Sequence, residues 1–160
     1  MTSEPLPEPL SPSLIERYLC TRGSRYFRGQ HDGEYFYLAN TRPRRLHVHL
    51  EVSPAHDDVL MIRVAPAAFF PAVDRSWLTH LADTWNSAER GVTAVVHGSS
   101  DPDRIGVAAR RSQWIRGSIA FEDFATFVDA TIAAAIEFFG ELNPVVEWET
   151  EAQPLMADAG

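Results

Sequence analysis

The sequence contains no lysine, since all 14 of its basic residues are arginines. A Walker-type phosphate loop and a Schiff-base mechanism both require a lysine, so both are excluded. There is one cysteine, Cys20, so no disulfide forms within the chain, and its neighbours Tyr18 and Leu19 predict a buried small side chain. No glycine-rich nucleotide fingerprint and no Gly-x-Ser-x-Gly elbow occurs. These absences predict a chain that is not an enzyme and holds no cofactor.

Signals for secretion and membrane insertion are also lacking. Residues 1–12 contain no basic residue and no apolar run, which is atypical of a secretory signal. The most apolar stretch, residues 124–142, is interrupted by Asp129, Glu137 and Glu141, so we do not expect it to span a membrane. We therefore predict a cytoplasmic protein.

The charge is distributed unevenly along the chain. The residues up to Arg116 hold all 14 basic residues and 13 acidic ones, while the remaining nine of the 22 acidic residues follow Arg116. An acidic end of this kind serves solubility or suits a basic partner segment, and it argues against nucleic acid or anionic lipid as its partner.

Two short basic clusters are the features that RNA binding would use. They are residues 42–45, with Arg44 and Arg45, and the pair Arg110 and Arg111. The aromatic residues Tyr35 and Tyr37 lie near the first cluster in the sequence. Because the net charge is −8, we do not expect a nucleic-acid partner.

The order of predicted elements indicates one α+β domain at residues 13–142. A Pro-rich flexible tail is predicted for residues 1–12 and an acidic tail for residues 143–160. Strict alternation in residues 46–52 predicts a half-buried strand, and Asp32-Gly33 predicts a hairpin turn. The expected fold is an antiparallel sheet flanked by helices, α-β-β-β(-β)-α-β-β-α. The predicted helices cover residues 13–22, 74–87 and 121–142, and the strands cover residues 25–30, 34–40, 46–52, 59–64, 93–97 and 105–111.

The last predicted helix is apolar over about two-thirds of its circumference, counted at roughly 100° per residue. A helix that covers one sheet face needs a narrower apolar stripe. Two interpretations remain open: the first helix covers the excess, or the excess binds another chain. The candidate partner-binding residues are Phe124, Phe127, Phe138 and Phe139.

One strand carries the pattern His47-x-His49-x-Glu51, which places three possible metal ligands on the same face. Solvation of an exposed strand face accounts for the same pattern. We therefore predict no metal site, and keep His47, His49 and Glu51 as the alternative.

The element order resembles that of YbjN-domain proteins, a bacterial family related in fold to type III secretion chaperones. The resemblance covers residues 14–142, while the tails lie outside it, and Arg104 replaces a more typical acidic-Gly turn. It implies a dimeric domain that holds non-globular protein segments through apolar patches and strand pairing. The family, described as sensory transduction regulators, has no catalytic motif to match. The residues that carry the resemblance are the Asp32-Gly33 hairpin, Trp85-Asn86, the turn at residues 101–104, and Gly117-Ser118 before the Phe-rich helix at residues 121–139.

These observations together predict a non-enzymatic protein-binding domain with a chaperone-like or regulatory role. We expect a homodimer that also binds a further protein. The alternative is a sensor of a metal or small ligand that uses His47, His49 and Glu51.

Overall fold

A computed structural model describes residues 6–41 and 45–142. Its elements confirm the predicted α+β class and the predicted order of helices and strands. The helices are α1 (Pro12–Thr21), α2 (Arg75–Ser87), which follows a 3-10 turn (Ala72–Asp74), and α3 (Phe121–Leu142). The strands are β1 (Tyr26–Arg28), β2 (Glu34–Ala39), β3 (Leu46–Val52), β4 (Val59–Pro66), β5 (Phe70–Pro71), β6 (Thr93–Gly98) and β7 (Arg104–Trp114).

The strands form one seven-stranded antiparallel sheet. Strands β1 to β4 pair in chain order as a meander, and β7 pairs with β4 so that Val59 faces Trp114 and Val64 faces Ala109. On its other side β7 pairs with β6. The first two residues of β7, Arg104 and Ile105, also pair with the short strand β5, on the side opposite β6. The long strand β7 therefore joins the meander to the later half of the chain.

The sheet has one covered and one uncovered face. In β3 the alternate residues Leu46, Val48, Leu50 and Val52 are buried, as the alternation in the sequence predicted. Their neighbours in β4 and β7 continue the same inward side, and α1 and α3 pack over it. The domain is thus two layers thick, with helices on one side of the sheet.

Helix α1 packs against α3 through a small polar and aromatic contact. Ser11 caps α1 by accepting a hydrogen bond from the backbone N–H of Leu14 (3.1 Å). The Tyr18 ring meets Phe124 edge to face, and its hydroxyl donates to the Asp129 carboxylate (2.5 Å). Arg22 donates to the same carboxylate (2.5 Å). The first helix therefore packs on part of α3, around Phe124 and Asp129.

Helix α2 lies beside the edge strand β6. The Asn86 side chain accepts from the backbone N–H of Ala94 (2.7 Å) and donates to the Ala94 carbonyl (3.0 Å), so it pairs with the strand as another strand would. The neighbouring Trp85 donates to the Val92 carbonyl (2.9 Å) and packs edge to face on Phe138. These contacts fix α2 to both the sheet edge and α3.

Several sequence-based expectations differ from the structure. Cys20 is exposed, because its position on α1 faces away from the buried Tyr18 and Leu19. The predicted loop before α2 contains the two-residue strand β5, since Phe70 is buried beside Ile105.

The flexible tail predicted for residues 1–12 does not extend over its whole length. Glu8 pairs with Ile119 through two backbone hydrogen bonds, and Leu10 is buried in the core. The predicted acidic tail, residues 143–160, lies outside the described residues. Within the described residues, no helix is long and apolar enough to cross a lipid bilayer.

Candidate functional site

The uncovered sheet face carries both polar and apolar groups. Residues that alternate with the buried ones on β2, β3, β4 and β7 project from this side, because partners in an antiparallel register share a face. Among the large apolar side chains, Phe36, Leu38 and Met61 are exposed here, and Trp114 lies at the far end. Exposed apolar groups concentrated on one face are typical of an interaction surface.

A His–Glu cluster occupies the end of this face nearest the β1–β2 hairpin. Glu34 at the start of β2 and Glu51 on β3 are register partners, and Phe36 and His49 form the next outward pair. His31 joins them from the hairpin turn between β1 and β2. We call His31, Glu34, His49 and Glu51 the His–Glu cluster.

The members of the His–Glu cluster contact one another closely. His31 Nε2 lies 2.6 Å from Glu51 Oε2 and 3.9 Å from Glu34 Oε1. His49 Nε2 lies 3.0 Å from the other oxygen of Glu34. The Phe36 ring stacks on the His49 ring, with centroids 4.5 Å apart and planes inclined by 14°, so it shields one side of the imidazole.

The electrostatic environment of the cluster stabilises charged forms. The hydrogen bond with Glu51, and then that with the Asp32 carbonyl, raises the pKa of His31 above its ordinary value. Burial alone would raise the pKa of Glu34, but the backbone N–H of Gln30 and the His49 side chain lower it below its ordinary value. These contacts therefore shift both groups toward their charged forms.

The structure brings together only part of the alternative metal trio, His47, His49 and Glu51. His49 and Glu51 belong to the cluster, but His47 lies nearer the other end of β3, beside Leu38 and Ala65. Burial lowers the pKa of His47, which favours the neutral imidazole. Among the described residues, the group whose ligand atoms lie within 4.8 Å of one another is His31, Glu34 and Glu51.

Sequence reasoning missed His31 and Glu34. Both flank the Asp32-Gly33 turn that the sequence did identify, and Glu34 starts a predicted strand. Their proximity to Glu51 depends on the β2–β3 register, which pairs Glu34 with Glu51 across residues 40–45. Pairing the two predicted strands as an antiparallel hairpin would have shown that Glu34 lies opposite Glu51.

The structure corrects the predicted partner-binding residues on α3. Phe124, Phe138 and Phe139 are 0%, 2% and 3% exposed and belong to the hydrophobic core. Phe127 is partly buried, with the Arg111 guanidinium 4.6 Å above its ring. Three of the four side chains are thus enclosed within one chain, because α1, α2 and the sheet surround α3.

The residues considered for RNA contact do not form a stacking surface. Tyr35 is buried, and its hydroxyl donates to Glu16 (2.6 Å) beneath the sheet. Tyr37 is on the same inward side, where burial raises its pKa to about 12. Arg44 lies outside the described residues, and Arg45 is exposed immediately before β3.

A shallow pocket of about 300 Å³ lies between the end of β7 and α3. Arg116 stacks over the Trp114 ring (4.1 Å) at its rim, and the Trp114 indole donates to Asp58 (2.8 Å). Neither a carboxylate nor a histidine or cysteine is among its lining residues, so it offers no acid–base pair. The lining residues are Gln113, Trp114, Ile115, Arg116, Ser118, Ile119 and Phe127.

Comparisons with known proteins bear on the fold. No protein-family model and no curated protein sequence matches the chain. The chain is similar to the crystal structure of YbjN from E. coli, a proposed transcription regulator, with a TM-score of 0.64 and 14% identity over 82% of this chain and 90% of that chain. It is also similar to an uncharacterized protein from Methanothermobacter thermautotrophicus, with a TM-score of 0.56 and 11% identity over 86% of this chain and 99% of that one. The chain therefore has a YbjN-like fold, as the sequence resemblance implied.

Proposed function

We propose that this YbjN-like chain is a non-enzymatic protein-binding domain with a regulatory role, and that it acts as a homodimer through its uncovered sheet face. The observation that carries this proposal is the one-sidedness of the sheet. Helices cover one face, while Phe36, Leu38 and Met61 remain exposed near the middle of the other. Covering such a surface with a partner removes apolar area from water.

The distribution of charge favours a second copy as the occupant of this face. The chain carries a formal net charge of −8, so two copies repel each other at most of their surfaces. The uncovered face carries two carboxylates, Glu34 and Glu51, and also two guanidinium groups, Arg63 and Arg110. Association through this face avoids the helical side, where α3 carries five carboxylates, Glu122, Asp123, Asp129, Glu137 and Glu141.

The same four charges are arranged to suit two-fold symmetry. The carboxylates lie on β2 and β3, whereas the guanidinium groups of Arg63 and Arg110 lie on β4 and β7. A two-fold axis near the middle of the face places the basic half of one copy over the acidic half of the other. A symmetric dimer requires this kind of self-complementary surface.

The sheet edges favour association through the face. The edge strand β6 is already paired with Asn86 at Ala94, and the opposite edge strand, β1, has three residues. Pairing of strands between chains needs a longer exposed edge. The strand-pairing mode implied by the sequence resemblance is thus less favoured than face-to-face contact. A regulatory role is supported by the similarity in fold to E. coli YbjN, itself a proposed transcription regulator.

Light scattering coupled to size-exclusion chromatography tests the dimer and its location. The wild-type chain is expected at twice its mass of 17.9 kDa. Leu38→Glu and Met61→Glu place a carboxylate in the contact and remove apolar burial, which costs at least about 2 kcal/mol or roughly thirtyfold in the dissociation constant. Trp77→Glu is the matched control, since Trp77 is an exposed apolar residue on α2, away from this face.

Two results would contradict the proposal. A wild-type mass of 17.9 kDa at all soluble concentrations would remove the homodimer. Dissociation by Trp77→Glu, with Leu38→Glu and Met61→Glu still dimeric, would place the interface on the helical side.

A further inference from the structure

The His–Glu cluster contains more negative charge than its neighbours neutralise when both histidines are neutral. Glu34 and Glu51 face each other on adjacent strands, and their side chains are 16% and 13% exposed. Like charges directly opposite each other in a sheet are destabilising, and shielding from water makes the repulsion stronger. Within the part of the chain that the structure describes, the ionic partners of these carboxylates are His31 and His49. One divalent cation would balance the two carboxylates.

The hydrogen bonds of His31 fix which of its nitrogen atoms is available to a metal. Its Nδ1 lies 2.8 Å from the Asp32 carbonyl oxygen, which can only accept, so Nδ1 carries a proton. Its Nε2 lies 2.6 Å from a Glu51 oxygen, a distance at which a proton lies between the two atoms. A metal ion would replace that proton and move the two atoms apart. A metal-ligating histidine commonly donates its second N–H to a backbone carbonyl, as His31 does here.

We propose that His31, Glu34, His49 and Glu51 form a Zn²⁺ site that fastens the β1–β2 hairpin to β3. Two imidazoles and two carboxylates are suitable ligands for a four-coordinate zinc ion. At the usual bond lengths, tetrahedral ligands lie about 3.3 Å from one another. The separations of 2.6, 3.0 and 3.9 Å within the cluster lie on both sides of that value. The ligand atoms of His31, Glu34 and Glu51 lie within 4.8 Å of one another, so small side-chain rotations would bring these three to one ion. His49 lies outside that group and contacts the second Glu34 oxygen, so its ring would have to move further to become the fourth ligand.

Two glycines of the hairpin make room for these ligands. A Cβ at Gly29 would overlap the Glu34 carboxylate, so this carboxylate packs directly on the turn backbone. The Glu34 carboxylate also accepts from the backbone N–H of Gln30 (2.9 Å), which holds one of its oxygens in position. Gly33 has a φ of +87°, a conformation that side chains disfavour, and it turns the chain so that His31 meets β3. Local backbone geometry thus positions two of the four ligands.

With all four protein ligands bound, the ion would have no position left for a reacting water or substrate. Closed zinc sites of this kind are structural and contribute to folding free energy. The proposed metal is consistent with a non-enzymatic domain and does not depend on the homodimer. A bound Zn²⁺ would neutralise Glu34 and Glu51, so the exposed apolar residues of the face, Phe36, Leu38 and Met61, would then carry the dimer contact. A charge-paired network of two histidines and two glutamates, without any metal, is the competing explanation of the same contacts.

Titration of the metal-depleted full-length chain with Co²⁺ separates these two explanations, because tetrahedral Co²⁺ gives visible absorption bands. We expect one equivalent to bind, Zn²⁺ to displace it, and Zn²⁺ to raise the midpoint of thermal unfolding. Glu34→Gln and Glu51→Gln preserve shape but remove a ligand charge, and each should weaken binding by about tenfold or more. Glu122→Gln and His80→Asn are matched controls at exposed positions on α3 and α2, and they should bind like the wild type.

The proposal is overturned if no tetrahedral spectrum develops, or if Glu34→Gln and Glu51→Gln bind Co²⁺ as tightly as the controls do. The second outcome would indicate adventitious binding to surface histidines. Replacing one of two facing carboxylates relieves repulsion, so these variants should fold. If circular dichroism shows otherwise, His31→Gln in the partly exposed turn provides the same comparison.

Discussion

The pairing of Asn86 with the edge of β6 gives a prediction whose size follows from its contacts. Its side chain makes two hydrogen bonds with Ala94, of 2.7 and 3.0 Å, and Ala94 is 4% exposed. Asn86→Ala removes both bonds and leaves the N–H and the carbonyl of Ala94 without their partner. Each hydrogen bond contributes about 1 kcal/mol and each group left unpaired adds to the cost, so the free energy of unfolding should fall by about 2–4 kcal/mol.

Asn86→Asp provides a finer comparison at the same position. The carboxylate can still accept from the Ala94 N–H, but its second oxygen faces the Ala94 carbonyl, which also only accepts. We expect a loss of about 1–3 kcal/mol at neutral pH. The loss should decrease in acid, because a protonated carboxyl group can again donate to that carbonyl.

Urea unfolding followed by circular dichroism measures these changes, with an unchanged denaturant dependence as the sign that the same surface unfolds. Ser87→Ala is the control on the same helix, since its hydroxyl donates to the Asp83 carbonyl at an exposed position. Its effect should remain within about 0.5 kcal/mol. An Asn86→Ala variant as stable as this control would refute the assigned role of Asn86.

Two further predictions concern α3. Phe138→Ala should lower the free energy of unfolding by about 3–5 kcal/mol in urea and leave the mass by light scattering unchanged, because Phe138 is enclosed by Trp85 and the core. An altered mass with intact stability would instead make it an interface residue. Burial alone would raise the pKa of Asp129, but hydrogen bonds from Arg22 and Tyr18 lower the pKa below its ordinary value. The carboxylate therefore stabilises the folded chain above the unfolded pKa of about 3.9, and this contribution is lost as the pH falls through the lower pKa of the folded state. The stability difference between wild type and Asp129→Asn should therefore be constant above about pH 5 and decrease below about pH 4, and a difference that persists unchanged to about pH 2 would contradict this reasoning.

The local pattern of the sequence was sufficient for most of the fold. The alternation from Leu46 to Val52 and the apolar run from Phe121 to Leu142 each predicted an element with the observed bounds. Both signals depend on neighbours within the same element, which the sequence contains directly. Pairing of β7 with β4 could not be obtained this way, since it brings together residues about fifty positions apart.

The residues of the candidate site were harder to predict for the same reason. His49 and Glu51 share a strand face, which period-two alternation reveals, but His31 meets them only through a turn and a register. The four candidate phenylalanines of α3 were placed on the correct helix, but three of them, Phe124, Phe138 and Phe139, lie in the core and not on a partner-binding surface. The width of an apolar face indicates how much is buried, whereas the identity of the covering element depends on tertiary packing.

The position of β7 also determines when the sheet can be completed during synthesis. Residues 1–66 contain the whole β1–β4 meander, yet the far edge of β4 lacks its partner until residues 109–114 have been made. During that interval the edge presents unpaired backbone groups beside Leu60, Ile62 and Val64, which later lie in the core. An unpaired apolar edge of this kind is a site for misassociation between nascent chains. The topology thus leaves the edge of β4 open while α2 and β6 are being translated.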